Sequence, residues 1–186
     1  MMSDWSLKGE HAIVTGGSSG IGKAIAAELL RLGATVCIVA RNGQRLEHAL
    51  AELRDISNKV GMLPADVVST EGREAIKAYA EEQHVSILVN NVGTNIRKPL
   101  SQYTDEELEI VFQTNLLSAV KLTRDMYKIL KQADSASVVN IGSVAGHMHI
   151  RTGSPYGMTK AALEQMTKNL AVEWAADNIR VNLIAP

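Results

Sequence analysis

The chain has 186 residues, a fair length for one domain and short for two, and 46% are hydrophobic against only 4% aromatic, so its interior is expected to be mainly Ala, Val, Ile and Leu. With 19 Lys and Arg against 20 Asp and Glu, the net charge is −1 and no basic run stands out, which argues against nucleic acid as a partner. The lone Cys37 excludes an internal disulfide, no apolar run is long enough to span a bilayer, and the charged, polar opening MMSDWSLKGE has no signal-peptide core; a soluble, cytoplasmic protein is expected.

HAIVTG, from His11, is the first predicted strand. A Gly-rich turn follows, then the helical pattern KAIAAELLRLG, which ends at Gly33. TVCIVA from Thr35 is the second strand, with the helix QRLEHALAELRDI after it. VGMLPAD from Val60, SILVNN from Ser86, ASVVNIGS from Ala136 and IRVNLIAP from Ile179 continue the series. Long amphipathic segments fill the gaps, among them TDEELEIVFQTNLLSAVKLTRDMYKILKQ, in which Thr104 and Glu107 have capping-box spacing. Strands that are apolar almost throughout are buried on both faces, and strand–helix alternation makes their sheet parallel. Right-handed crossovers then place helices on both sides. The expected fold is α/β, a doubly wound parallel sheet (Rossmann fold), with no repeat or linker and one domain over residues 1–186.

TGGSSGIG, Thr15 to Gly22, lies between the first strand and the first helix. Glycines there permit a tight turn and let phosphate oxygens approach backbone N–H groups at a helix N-terminus. The spacing, Gly16-x-x-x-Gly20-x-Gly22, departs from G-x-G-x-x-G, and a plain strand-to-helix turn would also use glycine. The strand–loop–helix setting favours a dinucleotide. Such sites usually hold the adenosine ribose with an acid about twenty residues further on. Here that count reaches Ala40 and then Arg41, a guanidinium suited to a 2′-phosphate, so NADP (NADPH) is the expected cofactor rather than NAD.

These motifs together resemble the short-chain dehydrogenase/reductase family in its compact single-domain branch, from about Leu7 to Pro186. TGGSSGIG is similar to the family's Thr-Gly-x-x-x-Gly-x-Gly loop, Ala65 to Val67 to its adenine-contacting segment, and NNVG (Asn90 to Gly93) to its Asn-Asn-Ala-Gly, with Val92 in the alanine position. NNVGTNIRKPL is similar to the tropinone-reductase-like subgroup. The resemblance implies cofactor contacts at Thr15, Gly16, Ser18, Ser19, Gly20, Ile21, Gly22, Arg41, Asp66, Val67, Asn90, Val92 and Gly93, with Tyr156 and Lys160. It also implies a catalytic tetrad of Asn115, Ser143, Tyr156 and Lys160. The family's pattern continues past VNLIAP into a substrate-covering segment and a final strand, so the C-terminal part is expected to be missing.

Tyr156 and Lys160 are four residues apart, one helical turn, and so share a face. Reduction of a carbonyl needs a proton as the alkoxide forms, and a cation near a phenol favours the phenolate that proton transfer leaves. Ser143, after a strand, could donate to the substrate oxygen. Asn115, mid-helix where Asn is a poor helix former, is expected by resemblance to hold a water that links Lys160 to solvent, though bonding a neighbouring backbone group is a real alternative.

The expected reaction is hydride transfer between nicotinamide and a small-molecule ketone or aldehyde/alcohol pair, in a homodimer or homotetramer built on the long helices near Thr104 and Ser154. A 3-oxoacyl thioester reductase, a sugar-alcohol dehydrogenase, and a non-catalytic dinucleotide-binding or sensing module are the rivals. His147 and His149 have no metal-ligand spacing, and no metal is expected; they are read as loop residues at the substrate pocket or on the surface. Cys37 reads as core; Arg97, Lys98 and Arg151 could meet an anionic substrate, with solvated loop charges the favoured reading.

Overall fold

The computed structural model describes residues 5–186; the opening Met1–Asp4 lies outside them. Six strands form one parallel sheet: β1 (His11–Thr15), β2 (Thr35–Ala40), β3 (Val60–Pro64), β4 (Ile87–Asn90), β5 (Ala136–Ile141) and β6 (Ile179–Ile184). Their spatial order is β3-β2-β1-β4-β5-β6, every neighbouring pair parallel. All six expected strands are present. The order reverses direction between β1 and β4, and a ligand crevice opens at such a switch point, outside the carboxyl ends of the strands.

The helices are α1 (Gly20–Arg31), α2 (Gly43–Arg54), α3 (Thr70–Glu82), α4 (Asp105–Phe112), α5 (Ser118–Leu130) and α6 (Ser154–Glu173). Alternate side chains of the central strands feed two cores. Val14, Val36, Ile38, Ile87 and Val89 pack with Ala26 and Leu30 of α1 and Leu46 and Leu50 of α2. Ile13, Cys37, Leu88, Val138 and Val181 pack with Ile76 of α3, Leu122 and Met126 of α5, and Trp174 just after α6. This is the doubly wound arrangement the apolar strands imply. β6 sits at one end of the sheet, and the alternating exposure of its first four residues reflects cover on one face only.

Three local features set up the site. Thr104 accepts from the Glu107 backbone N–H at 3.3 Å while the Glu107 carboxylate accepts from Thr104 N–H at 2.9 Å, the expected capping box at the start of α4. The long segment after it is not one regular helix: a π-turn over Gln113–Leu117 joins α4 to α5. Beneath the sheet's carboxyl edge, Asn90 Nδ2 donates to Asn140 Oδ1 and to Thr123 Oγ1, both at 2.8 Å, and Asn140 Nδ2 donates to Thr167 Oγ1 at 2.9 Å. This buried ladder ties β4, β5, α5 and α6 together, and both amides are hydrogen-bonded, as burial demands.

Candidate active site

The Thr15 hydroxyl donates to the Val89 carbonyl oxygen at 3.1 Å and accepts from Asn91 N–H at 3.0 Å. Asn91 Nδ2 donates to the carbonyl oxygens of Thr15 and Gly16 at 3.0 and 3.3 Å. The glycine turn is thereby stitched to the exit of β4. Gly16 has φ 65° and Gly20 φ 53°, both in the left-handed region that glycine adopts freely. A Cβ on Gly22 would lie 2.4 Å from the Gly16 carbonyl oxygen, so the closeness of turn and helix depends on its absence. The first turn of α1 holds no acidic side chain, leaving its N–H groups and dipole suited to an anion.

A groove of about 360 Å³ runs from this turn over the ends of β2 and β3, lined by Gly16, Ser18, Ser19, Arg41, Arg45, Asp66, Val67, Val92 and Gly93 among others. Arg41 Nη1 is 3.7 Å from Asp66 Oδ2 and its side chain is 76% exposed, so the guanidinium reaches over the groove instead of being locked in a close pair. Sequence counting finds no acid beside Arg41; the fold brings one from the end of β3. Its Oδ1 accepts from Val68 N–H at 3.0 Å. Arg45 joins Arg41 here. Asn42 caps α2 and its Oδ1 accepts from Arg45 N–H at 2.9 Å, so Arg41 precedes the cap and Arg45 stands in the first turn. Arg73, buried on α3, donates to the carbonyl oxygens of Val68 and Ser69 at 2.8 and 2.9 Å and holds the turn that carries Asp66 and Val67. A glycine edge open to phosphate, two guanidiniums and an apolar wall fit a phosphorylated dinucleotide.

A second cavity, about 250 Å³, continues from Asn91 and Gly93 and is lined by Ile21, Asn95, Ser143, Tyr156 and Lys160 as well. α6 puts Lys160 Nζ 5.7 Å from the centre of the Tyr156 ring, the shared face that the spacing predicts. Lys160 is buried and donates to the Ile141 carbonyl oxygen at 2.6 Å; burial pulls its pKa down to about 8. Ser143 Oγ accepts from Ala145 N–H at 3.2 Å, which leaves its hydroxyl hydrogen to be given to a ligand.

The Asn115 side chain bonds the protein backbone, the alternative weighed for it. In the π-turn it is 1% exposed, its Oδ1 accepts from Thr94 N–H at 2.6 Å, and its Nδ2 donates to Thr94 O at 2.8 Å and Thr159 Oγ1 at 3.3 Å. The amide is fully engaged in holding Thr94, a wall residue of the cavity. Thr15 and Asn90 are expected cofactor contacts whose side chains are buried and bonded within the protein; Asn91 lines the cleft instead. Both facts depend on partners distant in sequence.

His147 Nδ1 pairs with Glu164 Oε2 at 2.9 Å on the surface, and His149 is exposed. Among the described residues no group of three or more His, Cys, Asp or Glu is placed to hold a metal ion, and no helix is long and apolar enough to cross a membrane. Cys37 is buried, its thiol pushed up to about 11 by desolvation. Lys98 is ion-paired with Glu107.

The short chain dehydrogenase family model matches residues 10–186. A tropinone reductase homolog of Arabidopsis thaliana is 43% identical over 185 residues, 98% of this chain and 70% of that protein. Among solved structures, L-sorbose reductase from Gluconobacter frateurii, complexed with NADPH and L-sorbose, superposes with TM-score 0.94 at 32% identity, covering 99% of this chain and 71% of the other. RhlG of Pseudomonas aeruginosa, in an NADP active-site complex, gives TM-score 0.93 at 36% identity, covering 100% and 75%.

Proposed function

Since the chain belongs to the short chain dehydrogenase family, as a tropinone-reductase-like oxidoreductase, we propose that it uses NADPH to interconvert a ketone or aldehyde and its alcohol, with Tyr156 as the acid/base. The observation that carries this reading is the convergence of Ser143, Tyr156 and Lys160 on one cavity that opens from the glycine turn. The cofactor, when bound, would supply the hydride as NADPH and, as NADP⁺, accept it in the reverse direction. Arg41 and Arg45 would hold its 2′-phosphate and the N-terminus of α1 its pyrophosphate, the preference that the NADP-bound neighbours also support.

Ser143 donates its hydroxyl to the substrate oxygen and fixes it beside the phenol. Tyr156 gives its proton to that oxygen as negative charge develops there. Lys160, which lines the cavity, offsets the charge left on the phenolate and would hold the nicotinamide ribose. Asn115 keeps the wall at Thr94 in place, as its bonds to that backbone indicate. The working unit is one dinucleotide-binding and catalytic domain, cytoplasmic, and paired into dimers or tetramers through α4 to α6, where Ile110, Met158 and Val172 stand exposed.

Following NADPH absorbance with a ketone panel tests the reading. Tyr156→Phe should bind NADPH as before and lose roughly 10²–10⁴-fold in turnover. Turnover that survives this change removes Tyr156 from the mechanism; NADPH binding without turnover of any carbonyl by the unaltered protein would favour a sensing role.

A further inference from the structure

Next to the catalytic cavity lies another of about 410 Å³, lined by Asn95, Arg97, Ser143, Val144, Ala145, Ile150, Arg151, Thr152 and Tyr156. Tyr156, Ser143 and Asn95 border both spaces, so whatever sits against the phenol extends into the second. Its walls combine the apolar Val144 and Ile150 with two guanidiniums, from the loop after β4 and the loop before α6. Among the described residues no Asp or Glu lines either space.

The other cations around this end of the molecule are accounted for within the protein. Lys98 pairs with Glu107 and lies over the Tyr103 ring, Lys160 donates to Ile141 O, and His147 and Lys168 share Glu164. Arg97 and Arg151 make no ion pair and no side-chain hydrogen bond among the described residues. Two like charges facing one cleft repel each other and contribute nothing to folding; an anion arriving between them removes that cost and accepts forked hydrogen bonds.

Resting on the oxidoreductase reading above, we propose that the substrate is an oxo acid, its carbonyl held by Ser143 and Tyr156, its alkyl chain against Val144 and Ile150, and its carboxylate taken by Arg97 and Arg151. The step balances as a simple reduction. A hydride from NADPH bonds to the carbonyl carbon, the C=O π pair moves to oxygen, and the Tyr156 proton joins that oxygen, giving a hydroxy acid and NADP⁺. Arg97 and Arg151 select the substrate and take no part in that transfer. A protonated amino ketone is repelled by the same pair.

The test compares 3-oxo to 6-oxo acids with their methyl esters, a phosphorylated ketone and a protonated amino ketone, in the unaltered protein and in Arg97→Gln, Arg151→Gln and the double variant. The oxo acid should be preferred over its ester by at least about tenfold in kcat/KM, and each substitution should raise KM for the acid roughly ten- to hundredfold while leaving the ester unchanged. Esters or amino ketone turned over as well as the acid, or equal losses for acid and ester, overturn the proposal and leave the oxidoreductase reading standing. A higher kcat/KM for the phosphorylated ketone overturns the carboxylate assignment. Calorimetric titration of the oxo acid into the protein with NADP⁺ gives an answer that needs no turnover: binding weakened in the double variant supports the anion site, and unchanged or undetectable binding overturns it. Absence of turnover with every carbonyl overturns the oxidoreductase reading instead.

Discussion

Lys160 donates to the Ile141 carbonyl oxygen at 2.6 Å while its Nζ stands 5.7 Å from the centre of the Tyr156 ring. One contact anchors the ammonium to β5; the other keeps it within electrostatic reach of the phenol. Holding a cation there costs stability, because burial lowers its pKa from 10.5 to about 8. The folded-state value lies below the unfolded one, so the unfolded chain binds more protons between them. The penalty is full below about pH 8 and is relieved as pH rises toward 10.5. Urea unfolding of the unaltered protein and Lys160→Met across this window should therefore show a changing difference. Relative to the variant, the unaltered protein gains up to about 3 kcal/mol between pH 7 and pH 10.5. A difference that stays flat with pH would mean that burial does not tax this lysine.

The Asn115 amide serves three groups at once: Thr94 N–H, Thr94 O and Thr159 Oγ1. Asn115→Ala leaves those groups buried with nothing to replace the amide, at about 1–3 kcal/mol for each that water cannot reach. A loss of roughly 3 kcal/mol in urea unfolding is expected, together with reduced turnover, because Thr94 and the adjacent Asn95 form the wall of the cavity. A near-neutral effect on stability with turnover abolished would instead favour the water-holding role inferred from resemblance.

Most of the scaffold was legible from local pattern. The Val- and Ile-rich runs located all six strands, since strands covered on both sides cannot hide polar residues, and the Thr104–Glu107 spacing located a helix start. Helical period alone put Tyr156 and Lys160 on one face. The π-turn was not legible: Asn115 is drawn inward by the Thr94 backbone, a long-range bond with no local sequence mark beyond a polar residue at mid-helix. Nor was the inward direction of Asn90, which depends on its register neighbour Asn140 on β5. Arg45 lies four residues after Arg41, but only the folded groove shows that both line it.

Two glycines of the turn separate backbone strain from close contact. Gly20 has φ 53° but open space around its missing Cβ, whereas the Cβ of an alanine at Gly22 would meet the Gly16 carbonyl oxygen at 2.4 Å. Gly20→Ala should cost about 1–2 kcal/mol in stability through its left-handed backbone. Gly22→Ala forces turn and helix apart, since backbone cannot rotate out of the way, and should weaken NADPH binding more than tenfold by fluorescence titration. Equal effects on binding from both substitutions would show that strain, not close approach, governs this loop.

The proposed preference for NADPH should reside in the pair Arg41 and Arg45, which share the groove with Asp66. Arg41→Asp removes one guanidinium and sets a carboxylate where a 2′-phosphate would lie, exchanging attraction for repulsion. The ratio of kcat/KM for NADPH to that for NADH should then fall by roughly 10²-fold or more, since a charge-assisted bond alone accounts for about 1.5–3 kcal/mol. Arg45→Gln should weaken NADPH in the same direction by less and leave NADH untouched. Added salt should raise KM for NADPH in the unaltered protein more than in Arg41→Asp, because an exposed guanidinium–phosphate pair is screened by ions. If the unaltered protein uses NADH as well as NADPH, Arg41 holds no phosphate, and its 3.7 Å approach to Asp66 is what remains to explain it.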